Sequence, residues 1–112
     1  MFAEVKEMLP ISGDAYDQEI IMQIKAADLD LTRTAEIVLP GSIEISRNAE
    51  TGAIVDESTL NDELAITAIA TWCTMRIGNP PNYDNLLKAY ESMKGSMRIS
   101  SDYTSYGEVT TE

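Results

Sequence analysis

The stretch that most constrains the fold runs from residue 60 to residue 77 and reads LNDELAITAIATWCTMRI. Its apolar residues occupy most of the circumference of a helix instead of one stripe. Because such a helix is normally buried on several sides, we predict the central helix of a small bundle. Thr59 is the predicted N-cap, and Pro80 and Pro81 stop the helix from continuing. The residues predicted to form its buried core are Leu64, Ile69, Trp72 and Cys73.

Three further helices are predicted around this segment. A short helix spans residues 2–9, because its apolar residues share a face and Pro10 follows. A long helix spans about residues 15–38, with Asp14 as its cap, although weak helix propensity over 28–34 allows an earlier end. The last helix begins at Asn82 and has a regular amphipathic stripe. The buried stripe predicted for the long helix is Tyr16, Ile20, Ile24, Ala27, Leu31, Ala35 and Val38.

Residues 40–58 and 99–112 differ in character from the helices. Polar and apolar residues alternate over 42–46, turn residues follow, and an apolar segment returns at 53–55, which predicts a protruding β-hairpin or long loop. Connections of this length are often functional, so a contact role and a merely decorative loop both stay open. Residues 99–112 lack a helical period and are predicted to be a flexible C-terminal tail that docks on a partner or stays disordered. The apolar residues predicted for contact are Ile43, Ile45, Ile54 and Val55 in the hairpin, and Tyr103, Tyr106 and Val109 in the tail.

The predicted fold class is therefore mainly α. It is a small bundle of about four helices with the hairpin or loop inserted between the second and third. A chain of 112 residues indicates one domain. We assign residues 1–98 to that domain and residues 99–112 to the tail.

The charge balance excludes several classes of partner. Lys and Arg number 8 and Asp and Glu number 19, giving a formal net charge of −11. Such a chain is a poor match for DNA phosphates or an anionic membrane. No apolar run reaches the roughly 18 residues that a membrane span needs, and no signal-peptide pattern opens the sequence. We expect a soluble protein made in the cytoplasm.

The sequence offers little for catalysis. Histidine is absent, which excludes a Ser-His-Asp triad and any His-ligated metal. Glycine-rich phosphate-binding motifs are also missing. Cys73 lies inside the apolar helix without a nearby base, so core packing is preferred over a nucleophilic role. We predict no enzymatic activity, no metal and no cofactor.

Three segments together resemble a known family. They read LPISGDAYDQEI, IMQIKAADLDL and ELAITAIATWCTMRIGNPPNY. Their order and turns resemble those of phage head–tail connector proteins, the adaptors that lie under the portal of long-tailed phages. The resemblance spans residues 2–98 and contains no catalytic signature. The insertion at 42–58 and the tail are parts in which such proteins vary.

The resemblance implies a structural virion protein of the head–tail neck. It implies a ring, twelve-fold like the portal, through which DNA passes without specific binding, and an acidic wall suits that passage. The implied partners are the portal protein and the downstream stopper or tail-completion protein. The hairpin would face the channel or the next tail component, and the tail would dock on the portal. The residues implied at the contact between subunits are Met22, Lys25, Leu29 and Arg33.

The charge also supports a second hypothesis. A small helical domain with a net charge of −11 is suited to a regulatory binding module, either a DNA mimic or an inhibitor of a host enzyme. The main partner distinguishes the two hypotheses. A portal protein favours the connector, and a basic host DNA-binding protein favours the regulator.

Overall fold

The computed structural model describes residues 1–11, 13–77, 80–100 and 103. Over these residues the chain forms four α-helices, and α2 continues into a π-helical turn, Asp30–Thr34. A two-stranded antiparallel hairpin lies between α2 and α3. The helices are α1 (Phe2–Met8), α2 (Asp17–Leu29), α3 (Glu63–Arg76) and α4 (Tyr83–Ile99), and the strands are β1 (Ile45–Arg47) and β2 (Ile54–Asp56). The predicted mainly α fold with an inserted hairpin is confirmed.

Helix α3 is the centre of the bundle and packs against α1, α2 and α4. Of the residues predicted for its core, Ile69 and Cys73 are fully buried, whereas Leu64 and Trp72 are partly buried against the core. An all-round apolar helix is therefore covered on most of its sides, as its sequence predicts. The buried residues within α3 are Ala65, Ile66, Ala68, Ile69, Ala70, Cys73 and Met75.

The N-cap predicted for α3 is wrong. The helix is capped by Asp62, whose carboxylate accepts a hydrogen bond from the N–H of Ala65 at 3.0 Å. The hydroxyl of Thr59 instead accepts a hydrogen bond from the N–H of Ser42 at 2.8 Å. Thr59 therefore joins the two ends of the hairpin insertion, and the helix starts three residues later than predicted.

The start of α2 also differs from the prediction. Asp14 does not cap it, because its carboxylate accepts a hydrogen bond from the Lys6 ammonium at 3.2 Å. Lys6 also bonds Asp17, at 2.7 Å, so the lysine fastens α1 to the first turn of α2. Tyr16, predicted to be buried, precedes the helix and is 45% exposed.

The second half of the long predicted helix differs from the structure at the end of α2. The α-helical part stops before the π turn, in which the N–H of Ala35 donates to the carbonyl of Asp30 at 3.0 Å. A π turn adds one residue to a helical turn and so shifts the residues that follow it. Ile37 is consequently buried, and Val38, predicted to be buried, is 47% exposed.

The hairpin has a short ladder in which Ile45 pairs with Asp56. Its turn is held by Asn48, whose side-chain oxygen accepts hydrogen bonds from the N–H groups of Glu50 and Thr51. Asparagine favours turns through such local bonds. The hairpin predicted from residues 42–55 therefore forms, with shorter strands than the alternation indicates.

Gly41 lies at the base of this insertion, where the chain passes close to Leu60. Its φ is +152°, and a Cβ atom there would lie 2.6 Å from the Cα of Leu60. Only glycine fits so close an approach between two backbones. The insertion therefore leaves and re-enters the bundle at one narrow point.

Candidate assembly surfaces

The outward face of α2 carries the residues predicted for the contact between subunits. We call Met22, Lys25, Leu29 and Arg33 the α2 ridge. All four are exposed, and the fractional exposures of Met22 and Leu29 are 55% and 50%. Steps of three and four residues place them along one side of the helix. In the described part of the chain, no carboxylate lies within ion-pair distance of Lys25 or Arg33.

The apolar residues of the hairpin are mostly turned inward. Ile45 is 4% exposed and belongs to the core, and Ile43 and Ile54 are partly buried against it. Ile45, predicted for contact, is therefore used inside the chain, whereas Ile43 and Ile54 keep part of their surface accessible. Since β1 packs on α2, one face of the hairpin is already covered within the chain. Val55 alone of the set is exposed, at 42%.

The hairpin is also fastened to α1 through Asp56. Its carboxylate accepts hydrogen bonds from the N–H of Phe2 at 2.6 Å and from the amino group of Met1 at 2.8 Å. Burial by itself raises the pKa of the Asp56 carboxyl. These hydrogen bonds outweigh burial and hold the pKa well below its ordinary value. The ionised form of Asp56 therefore holds the start of α1 against β2.

Of the three residues predicted to dock on the portal, the structure describes Tyr103 alone. It is 6% exposed, its hydroxyl donates to the carboxylate of Asp62, and its carbonyl accepts a hydrogen bond from Val38 at 2.6 Å. The prediction of Tyr103 as a docking residue is therefore wrong, because the side chain is used inside the chain. Tyr106 and Val109 lie outside the described residues.

A polar cluster joins the π turn to α4. The Asp30 carboxylate accepts hydrogen bonds from the Tyr90 hydroxyl at 2.6 Å and from the Lys94 ammonium at 3.0 Å. Burial, followed by the adjacent Asp30 carboxylate, raises the pKa of the Tyr90 phenol far above its ordinary value. The sequence did not single out Asp30 for such a cluster. The signal that could have found this cluster is the i, i+4 spacing of Tyr90 and Lys94, which puts two donors on one side of α4.

Trp72 bridges all three of the long helices. Its indole N–H donates to the side-chain oxygen of Gln23 on α2 at 3.1 Å. Its ring lies 5.4 Å from that of Tyr90 on α4, and the Arg76 guanidinium lies over it at 4.2 Å. These contacts are within the chain, so Trp72 is an anchor of the bundle, as its sequence position predicts.

The remaining side of α3 is open and forms the floor of a groove. Two adjoining cavities there, of about 360 and 530 Å³, share Pro10 and Thr74. We call this surface the threonine groove. It was missed in the sequence, because threonines at steps of four and three look like ordinary spacers within an apolar helix. The floor is Thr67, Thr71 and Thr74, and the walls include Met8, Pro10 and Leu86.

The described residues do not bring together a metal site. None of their Cys, Asp and Glu side chains form a group of three or more that could hold a metal ion. Cys73 is fully buried, and burial raises the pKa of its thiol to about 12, so the reactive thiolate is disfavoured. No helix among the described residues has the length and apolarity to cross a membrane.

Comparison with known proteins gives one result that spans the whole bundle. A family model described as "Phage connector protein" matches residues 1–104, which include every helix and strand described above. The family is structural and not enzymatic. Neither the curated proteins nor the solved structures that were compared contain a match.

Proposed function

We propose the following role for this chain, which belongs to the phage connector protein family: it assembles as a ring on the portal and forms part of the DNA channel between capsid and tail. The observation that carries the proposal is the family match over residues 1–104. Family membership makes the chain a component of the virion, and we place it in the head–tail neck. Its neighbours there would be the portal on one side and a stopper or tail-completion protein on the other.

The α2 ridge supports assembly with other copies of the chain. Met22 and Leu29 expose large apolar side chains, and Lys25 and Arg33 have no carboxylate partner among the described residues. Cations are scarce in a chain with a net charge of −11, so a neighbouring copy would readily supply carboxylates. A contact between two different surfaces of identical subunits closes into a ring when the rotation permits. Twelve copies would match the portal.

The charge of the chain suits a channel wall. DNA that must move through a ring is held back by every Lys or Arg that binds its phosphates. The hairpin displays exposed carboxylates at Glu44, Glu50 and Glu57, beside the exposed Val55. We propose that it faces the channel or the next tail component, with Val55 as its apolar contact.

Docking on the portal is proposed for the segment that follows Tyr103. Tyr103 is bonded to Asp62 and Val38, so the chain is fastened to the bundle at the residue that precedes this segment. Extended segments commonly dock by adding to a partner's surface. Tyr106 and Val109 are the apolar residues proposed to make that contact.

Electron microscopy of the purified protein, alone and mixed with the portal of the same phage, tests the proposal. We expect rings in at least the mixture. A matched variant, Met22→Glu with Leu29→Glu, should remain folded by circular dichroism and form no rings. A protein that stays monomeric and never joins the portal would refute the proposed function.

Deletion of residues 104–112 tests the docking claim separately. We expect the bundle to fold, because this segment lies beyond the buried Tyr103, and portal binding to weaken. Unchanged binding by the shortened protein would refute docking by this segment. Family membership favours the connector over the acidic regulatory module, and capture of a basic host DNA-binding protein as the main partner would reverse that preference.

A further inference from the structure

We propose that the α2 ridge of one subunit inserts into the threonine groove of the next subunit. This inference rests on the proposed ring and names the second surface of its repeated contact. The ridge alone indicates only that something covers it. The groove, the spacing of the two surfaces and their charges together indicate a second copy of this chain.

The groove is built to receive an apolar helix. Its walls are apolar, and its floor consists of half-buried threonines. The hydroxyl of Thr71 donates to the carbonyl of Thr67 at 2.8 Å, and that of Thr74 donates to Ala70 at 2.9 Å. Because the Thr71 and Thr74 hydroxyls donate within α3, both keep their hydrogen bonds when a partner covers them.

The two surfaces match in spacing. The ridge residues Met22, Lys25 and Leu29 follow one another at steps of three and four, and the floor residues follow at steps of four and three. Each set therefore spans seven residues, or about 10 Å of helix. Rows of side chains at these spacings pack into grooves of the same spacing on another helix.

The charges beside the two surfaces favour the α2 ridge as the occupant of the threonine groove. Among the described residues, Lys25 and Arg33 have no carboxylate partner. The exposed Glu7 and Glu63 likewise have no cation partner there. Glu63 lies one turn before Thr67 on the same side of α3, and Glu7 precedes the groove wall at Met8. The segment after Tyr103 is a poorer occupant, because it contains Glu108 and Glu112 and no Lys or Arg.

The two surfaces are also separate on the molecule. The buried residues of α2, including Ile20 and Ile24, face the core, so the ridge faces away from it. The groove lies on the open side of α3 between α1 and α4. A contact between two such different surfaces is head-to-tail and can repeat from subunit to subunit.

Cross-linking tests the pairing directly. The variant Leu29→Cys with Thr71→Cys is treated with a short bismaleimide, alone and on the portal. We expect a ladder of cross-linked species from the double variant and only dimers from a mixture of the two single variants. The wild-type protein should not be cross-linked, because its cysteine, Cys73, is fully buried. The matched control, Val38→Cys with Thr71→Cys, moves the first cysteine to an exposed site off the ridge and should give no ladder.

The possible results separate this inference from the proposed function. Rings without a cross-linked ladder would overturn the ridge-in-groove contact and leave the connector role intact. Dimers from Leu29→Cys alone would show that two ridges meet and would also overturn it. A ladder that forms only after residues 104–112 are deleted would indicate that the tail occupies the groove in the full chain, and would overturn the contact. A wild-type chain that is monomeric both alone and with portal would overturn the ring itself.

Charge exchange gives an independent test. Lys25→Glu and Glu63→Lys should each weaken self-association about tenfold, as expected for the loss of a close charge pair. Combining both changes in one chain should restore association, and so should mixing the two single variants, because alternating subunits then pair correctly. Circular dichroism checks that every variant is folded. Failure of the combined variant to recover would overturn the pairing.

Discussion

The two sides of α3 differ sharply although they belong to one helix. On the packed side, Ile69 and Cys73 are fully buried, and Trp72 contacts both α2 and α4. The open side presents Thr67 and Thr71 to a groove bounded by α1 and α4. On the open side the hydroxyls of Thr71 and Thr74 are bonded within α3, and among the described residues no buried side-chain nitrogen or oxygen lacks a hydrogen bond. What differs is whether apolar atoms from the same chain cover the surface.

This difference separates the residues that stabilise the fold from those available for assembly. Burial of the large apolar side chains on the packed side stabilises the folded state, because their surface is removed from water. On the open side, the hydroxyls of Thr71 and Thr74 are already bonded to α3. Such a surface tolerates water in the free subunit and a helix in the assembled one. Substitutions on the two sides should therefore have different consequences.

The largest effect on stability is expected for Ile69→Ala. Removing a fully buried side chain leaves a cavity and should lower the free energy of unfolding by about 4 kcal/mol. The matched change on the open side, Thr71→Ala, should alter it by about 0.5 kcal/mol or less. Urea unfolding of both variants measures the difference. Equal losses would mean that the two sides of α3 do not differ as described.

Trp72→Ala should cost somewhat less. Trp72 is only partly buried, so we expect about 3 kcal/mol, the low end for loss of a tryptophan. Trp72→Phe is the matched control, since it keeps a ring beside Tyr90 and loses the hydrogen bond to Gln23. Calorimetry or urea unfolding would show the order. A loss well below 1 kcal/mol for the alanine variant would place this side chain outside the core.

Asp30→Asn tests the polar cluster that closes the packed side. The change leaves Lys94, which is 8% exposed, without its partly buried carboxylate partner and should lower the free energy of unfolding by about 2 kcal/mol. The remaining pair with Glu91 limits the loss. A double-mutant cycle with Lys94→Met isolates the coupling between the two residues. Simple additivity in that cycle would show that the ion pair contributes nothing.

Asp56→Asn should have a smaller effect than the three changes on the packed side. It acts on the open side, since Asp56 holds the start of the helix that ends at the groove wall. We expect a loss of about 0.5 kcal/mol at neutral pH, as for other exposed pairs. Because the pKa of Asp56 is lowered by folding, its stabilisation is present above the ordinary value of 3.8 and is lost as the pH falls below it. Urea unfolding at pH 7 and at about pH 2.5 measures this. The difference in the free energy of unfolding between wild type and variant should be smaller at the lower pH. A constant difference would contradict the role assigned to the carboxylate.

The sequence predicted those features of the fold that depend on the periodicity and composition of the chain. The four helices, the hairpin and the burial of Ile69 follow from local patterns of apolar residues. The predicted caps at Asp14 and Thr59 failed because each side chain has a partner distant in the sequence, Lys6 and Ser42. Ile45 and Tyr103, predicted to contact other proteins, are instead buried against residues distant in the sequence. Local patterns do not show which neighbour a residue will meet.

The sequence by itself determined the central helix, the surplus of negative charge and the absence of histidine chemistry, because these depend only on which residues are present and in what order. Only the tertiary structure decided that the π turn aims Asp30 at Tyr90. It likewise decided that α1 and α4 leave the threonine side of α3 uncovered. The physical reason is that a groove, like a buried ion pair, is made by surfaces of different helices, and its shape depends on how those helices pack.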